Sequence, residues 1–155
     1  MRKVKDILRS KGSIVWSIEP DATVYEALAL MAEKNIGAVL VRKAGEVVGI
    51  LSERDYARKV VLHGKLAQDT SVRDIMTGKV MCVGPEQTVE ECMALMTDKH
   101  VRHLPVAEND QLIGVISIGD VVKIIISEQE FLIEQLENYI TGAPTRTRPF
   151  GDDIH

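Results

Sequence analysis

The apolar residues between Ser13 and Val60 change their spacing in a fixed order. The run "SIVWSI" is continuously β-prone and closes at Pro20, which suits a strand end followed by a turn. Beyond it Val24, Ala27, Leu28 and Met31 lie at the i, i+3, i+4, i+7 spacing of one buried helix face. Thr23 and Glu26 stand ahead of that face at the spacing of a capping box, in which hydroxyl and carboxylate satisfy free backbone amides. Two β-branched runs follow, "IGAVLVR" and "EVVGILS", joined through Ala44-Gly45 as a hairpin. A second apolar-faced helix closes the unit.

The same order then recurs. Displacing the sequence by 65 residues superimposes "PDATVYEALALMAEKNIGAVLV", from Pro20, on "PEQTVEECMALMTDKHVRHLPV", from Pro85, and the match runs without a gap to Val60 over Ile125. Thr88 and Glu91 repeat the capping pair, and Val89, Cys92, Met93 and Met96 repeat the buried face, which makes Cys92 a small core residue. The runs "RHLPVAE" and "QLIGVIS" repeat the hairpin through Asn109-Asp110, and "KVMCV" repeats the first strand. Upstream, "VKDIL" at Val4 resembles "VRDIM" at Val72 at a displacement of 68, so the first copy carries a longer leading loop around "RSKGS".

One copy of roughly 60 residues is marginal as an isolated core. The expected fold class is therefore α/β (α+β), with two β-α-β-β-α repeats packed as one module about a pseudo-twofold axis. The expected boundaries are 1–66 for the first repeat with its leading segment, 67–127 for the second and 128–141 for a helical extension. The tail 142–155, rich in Gly, Pro and charge, is expected to be poorly ordered. In the extension Phe131, Leu132, Ile133, Leu136, Tyr139 and Ile140 form an apolar stripe that must be buried, either on its own module or against a second chain in a homodimer.

Composition narrows the classes further. A chain of 155 residues, 45% hydrophobic and 27% charged, reads as a soluble globular module. A net charge of −4, without a basic block, and 4% aromatic residues argue against nucleic acid as a partner. Cys82 and Cys92 make no CxxC pair, the N-terminus lacks a signal-peptide pattern and "VVKIIIS" is too short to span a bilayer, so a cytoplasmic protein without membrane contact is expected. His100 and His103 lack a third ligand nearby, so no metal site is expected, and no GxxxxGK[ST], GxGxxG or HExxH motif supports catalysis.

The remaining chemistry sits in "SERD" and "SIGD". Ser52 and Asp55, like Ser117 and Asp120, have capping-box spacing ahead of a helical run, and a purely structural role accounts for them. A second reading stands beside it. Both first helices use Glu at the third position and both second helices use the shorter Asp, whose carboxylate is then expected to point outward. At a helix N-terminus closing a hairpin strand, it can accept two hydrogen bonds from a vicinal diol such as a ribose.

The duplicated unit, with "VRDIMTGKVMCVGPEQTVEECMALM", "RHLPV" and "GVISIGDVV" in order, resembles a tandem pair of cystathionine β-synthase (CBS) domains, a Bateman module. The resemblance covers Val4 to about Ile126. It implies a regulatory module without chemistry of its own that binds AMP, ADP or ATP, or NAD or S-adenosylmethionine, in two clefts, with magnesium only as carried by a nucleotide. It places Asp55 and Asp120 on the ribose hydroxyls, Ser52 and Ser117 near ribose or phosphate, and Gly37-Ala38 and Arg102-His103 along the adenine, with Leu104-Pro105 continuing the second segment. Val15 and Val80 complete the clefts with backbone groups, and Arg54 and Arg102 are the expected phosphate contacts. The nucleotide is expected to join the strand start of one copy to the second-helix start of that same copy. Gly119 stands where the first copy has Arg54, and "GAVLV" where the second has "RHLPV", so the clefts are expected to differ. The rival readings are a ligand-free dimerising adaptor, and a small phosphoryl-transfer or hydrolytic enzyme. The protein that the module regulates is not readable from the sequence.

Overall fold

The computed structural model describes residues 2–141. The expectation for the tail 142–155 lies outside them. The chain runs α1 (Val4–Lys11), β1 (Ser17–Ile18), α2 (Val24–Lys34), β2 (Ala38–Lys43), β3 (Glu46–Ser52), α3 (Glu53–Lys59), α4 (Val72–Ile75), α5 (Val89–Lys99), β4 (His103–Glu108), β5 (Gln111–Ser117) and α6 (Ile118–Thr141). In the first repeat β1 pairs parallel with β2, and β2 antiparallel with β3. In the second, β4 and β5 pair antiparallel, and the counterpart of β1 contributes one parallel bridge, Val83 to Val106. The mixed α/β architecture and its duplication are as the sequence pattern requires.

Local chemistry accounts for the element ends. Thr23 Oγ1 accepts from Glu26 N–H at the start of α2, and the C-cap Asn35 turns left-handed at φ 54°. Both hairpins turn through two consecutive residues of positive φ, Ala44 (53°) with Gly45 (82°) and Asn109 (53°) with Asp110 (63°), the primed geometry that matches strand twist. Helix α3 stops at Lys59, whereas its counterpart merges with the extension into one α6 of 24 residues. The first strands are shorter than their β-prone runs. Residues 14–16 and 79–81 leave the sheets and line the clefts between the repeats.

The cores cross the boundary between the copies. Val4 and Ile7 of α1 are buried with Val83, Val89, Cys92, Met96, Leu104, Val106, Ile116 and Val121 of the second repeat. Val72 and Ile75 of α4 are buried with Val24, Met31, Val39, Val41 and Leu51 of the first. Backbone bonds secure each exchange: Val4 N–H donates to Gln87 O (2.9 Å) and Val89 N–H to Arg2 O (3.0 Å), while Val72 N–H donates to Ala22 O and Val24 N–H to Thr70 O (both 2.8 Å). Each repeat is therefore completed by the segment that precedes the other one.

Two glycines make this contact close. A Cβ on Gly114 would lie 2.6 Å from Leu8 Cδ2, and one on Gly49 would lie 2.6 Å from Met76 Sδ and 3.0 Å from Thr77 O. Leu8 is a side-chain tip that can move. Thr77 is not, because its backbone exchanges two hydrogen bonds with Ile50 (2.9 and 3.0 Å). Gly49→Ala is therefore expected to lower stability by about 1–3 kcal/mol, and Gly114→Ala by less. Urea unfolding of both variants checks the order, and a larger loss for Gly114→Ala contradicts it.

Candidate functional site

At the start of α3, Ser52 Oγ accepts from Asp55 N–H (3.1 Å), and Asp55 Oδ2 accepts from Ser52 N–H (2.9 Å) and Ser52 Oγ (3.0 Å). At the start of α6, Ser117 Oγ accepts from Asp120 N–H (3.1 Å) and Asp120 Oδ2 from Ser117 N–H (2.8 Å). The expectation of outward-pointing carboxylates is thus corrected. Aspartate closes the box more tightly than glutamate does, since Thr23 N–H reaches Glu26 Oε2 only at 3.3 Å and Glu91 accepts from Gln87 Nε2 instead. The shorter side chain needs no folding back to reach its own cap.

Capping uses one oxygen of each carboxylate. Asp55 Oδ1 faces Lys59 Nζ at 3.1 Å, and Asp120 Oδ1 has no hydrogen-bond partner among the described residues. Asp120 Oδ2 also accepts from Lys11 Nζ at 2.6 Å, and the same ammonium donates to Val115 O at 2.9 Å. Burial alone would raise the Asp120 carboxyl, but the Lys11 ammonium and the Ser117 N–H outweigh it and hold the pKa below the ordinary carboxylate value.

Each aspartate faces a cleft built from both repeats. Cleft 1, about 680 Å³, joins Ser52, Arg54 and Asp55 of the first repeat to Val80, Arg102, His103 and Leu104 of the second. Cleft 2, about 490 Å³, joins Ser117 and Asp120 of the second repeat to Val15, Gly37 and Ala38 of the first. The expectation that a cleft links two parts of one copy is corrected: most of the strand-start wall facing each aspartate comes from the opposite repeat, and only Gly37 in cleft 1 and His103 in cleft 2 come from the aspartate's own copy. Both volumes fall in the range of small-molecule sites. A third depression of about 410 Å³, lined by Tyr25, Leu28, Tyr56 and Leu66, lies apart from both aspartates on the first repeat.

Of the residues singled out in the sequence, Pro105 alone lines neither cleft; it is buried in β4, where its carbonyl accepts from Val83 N–H (2.9 Å). Several lining residues were missed, among them Arg58, Lys59 and Lys79 of cleft 1. Trp16 and Met81, 65 residues apart, occupy matching walls of clefts 2 and 1, and the displacement that paired Val15 with Val80 also pairs them. Lys11 was invisible because α1 belongs spatially to the second repeat. Gly37, Ile50 and His103 line both clefts, so the two sites share a wall.

Charge separates the clefts. Cleft 1 is lined by Arg54, Arg58, Lys59, Lys79 and Arg102 against Glu53 and Asp55, whereas cleft 2 sets Lys11 against Asp120. Between them, burial lowers the His103 pKa below its ordinary 6.5; Lys11 and Arg102 push the same way and Asp120 opposes. Among the described residues no group of three or more His, Cys, Asp or Glu is placed to hold a metal, and no helix is long and apolar enough to cross a membrane.

Comparison with known proteins agrees with this architecture. The CBS domain profile matches twice, at residues 4–62 and 72–127. The chain is 41% identical over 149 residues to the mitochondrial CBS domain-containing protein CBSX3 of Arabidopsis thaliana, covering 90% of this chain and 72% of that one. A solved CBS-domain protein from Burkholderia ambifaria MC40-6 superimposes with a TM-score of 0.80 at 48% identity, covering 83% of this chain and 97% of its own. The CBS domain pair of protein MJ0100, solved in complex with 5′-methylthioadenosine and S-adenosyl-L-methionine, shares the fold with a TM-score of 0.74 at 21% identity, covering 83% of this chain and 98% of its own. With both halves of its duplication matched and its interlocked repeats superimposable on solved pairs, the chain belongs to the CBS domain family as a tandem CBS pair.

Proposed function

We propose that this CBS pair is a regulatory module that binds adenosine nucleotides in the clefts between its repeats and signals through a change of conformation or association. The observation that carries the reading is the composition of each cleft. A helix start with its capping aspartate comes from one repeat, and most of the strand-start wall opposite it from the other. A ligand held by both ties the repeats together and favours the closed arrangement by its difference in affinity for the two states.

In this reading the ribose diol donates to Asp55 or Asp120, the base lies along Arg102-His103 or Gly37-Ala38, and phosphates in cleft 1 face Arg54 and Arg102. The guanidinium forks suit phosphate oxygens. AMP, ADP, ATP and NAD fit the cationic cleft 1. The adenosine-containing ligands of the MJ0100 pair support the ligand class. Magnesium enters only with a nucleotide, and the module is assigned no chemistry of its own.

Association has its own support. On α6, Phe131, Leu132, Ile133, Leu136, Tyr139 and Ile140 are all more than half exposed. An apolar stripe of that length favours a homodimer seated on α6. The same stripe is the observation behind the second reading, an adaptor that associates without a ligand.

Thermal denaturation with AMP, ATP, NAD and S-adenosylmethionine separates the two. A ligand at about 100 times its Kd is expected to raise Tm by about 5–10 °C. Asp55→Asn and Asp120→Asn keep an oxygen for the cap but lose the charged acceptor, so each is expected to weaken binding at its own cleft about 10- to 100-fold. No shift with any of the four leaves the adaptor reading.

A pH dependence follows from His103. Because folding lowers its pKa, the unfolded chain takes up a proton first as pH falls below 6.5. The stability contributed by the neutral ring is full above that pH and is lost below it, until the folded protein also protonates. In unliganded protein His103→Gln is expected to flatten this part of the Tm profile between pH 7 and pH 5.5; an unchanged profile rules out His103 as its source.

A further inference from the structure

The clefts differ in a feature that the duplication did not copy. In cleft 1 the lysine facing the aspartate comes from the same helix, Lys59, four residues after Asp55. The equivalent position on α6 is Ile124, and the ammonium in cleft 2 arrives instead from the last turn of α1, as Lys11. Among the described residues Lys11 is the only Lys or Arg that lines cleft 2, against five in cleft 1. Its ammonium occupies Asp120 Oδ2 and leaves Oδ1 open.

The second difference is aromatic. Where cleft 1 has Met81, cleft 2 has Trp16, a lining residue that is 38% exposed. Lys34, which lines neither cleft, stacks over that ring at 4.2 Å from its centroid. An indole held this way is a platform for a purine, because base–aromatic stacking needs a fixed, partly desolvated face.

We propose that cleft 2 selects a purine nucleoside bearing a single anionic group, and that Lys11 is the residue that sets this specificity. The proposal rests on the reading of the clefts as adenosine sites. A diol that takes both Asp120 oxygens must displace Lys11 from Oδ2. A ligand with one phosphate offers the released ammonium a new partner and keeps its charge paired. A neutral nucleoside breaks the ion pair and returns nothing. A triphosphate brings charges that find no further cation in the cleft, and unpaired desolvated charge is what a selective site uses to reject a competitor. Cleft 1, with its five basic side chains, makes no such exclusion.

Trp16 is the single tryptophan of the chain, so its emission reports cleft 2 without interference. The experiment titrates the full chain with adenosine, AMP and ATP, following Trp16 fluorescence, with calorimetry on the same samples to register binding at either cleft. AMP is expected to change the emission at a concentration about tenfold or more below that needed for adenosine or ATP, the worth of one charge-assisted contact. Lys11→Gln is expected to bring AMP to within about threefold of adenosine, and Lys11→Arg to keep most of the preference. An ATP response as tight as that of AMP overturns the proposal, as does an AMP to adenosine ratio unchanged in Lys11→Gln. Calorimetric binding with silent Trp16 emission overturns the assignment of cleft 2 alone, whereas no binding of any of the three overturns the adenosine reading and this proposal with it.

Discussion

The module depends on an exchange of short apolar helices. Val4 and Ile7 complete the second core, Val72 and Ile75 complete the first, and four of the backbone hydrogen bonds that hold them run between segments distant in sequence. A repeat of this size buries too little surface to stand alone. Interlocking removes that weakness, because neither core is closed until the partner's leading segment is docked. It also sets where polar groups meet: with the repeats held face to face, the helix start of each lies opposite the strand start of the other.

That placement lets one Ser-x-x-Asp motif cap a helix and face a cleft at the same time. Asp55 and Asp120 each spend one oxygen on the cap, which fixes the carboxylate in a single orientation at the cleft wall. The structural and the functional reading of the motif are therefore compatible. A carboxylate whose rotamer is already locked by its own helix loses little further freedom when a diol arrives, which is the general advantage of a preorganised site.

Much of this was legible in the chain itself. The displacement of 65 residues, the capping spacings and the turn pairs Ala44-Gly45 and Asn109-Asp110 specify the elements, since each rests on chemistry within a few residues. The pairing of elements across repeats was not, because an internal match says which residues are alike and nothing about which face each other. For the same reason Lys11 gave no signal: its role comes from α1 crossing to the other copy. Trp16 and Met81 were within reach, one position beyond Val15 and Val80 on the same extended runs, but only backbone groups were expected to line the clefts there. The Asp carboxylates were misjudged on length; a shorter chain reaches its own cap amide directly.

Divergence since the duplication has left one cleft strongly cationic and the other nearly neutral, with Gly37, Ile50 and His103 as their common wall. A shared wall puts occupancy of one cleft in position to bias the other. The claim beneath all of this is that a bound nucleotide bridges the repeats. Amide hydrogen exchange with saturating AMP tests it most directly. Bridging requires protection to rise together at residues 52–55 and 102–104, or together at 117–120 and 37–39; protection confined to segments of a single repeat contradicts it.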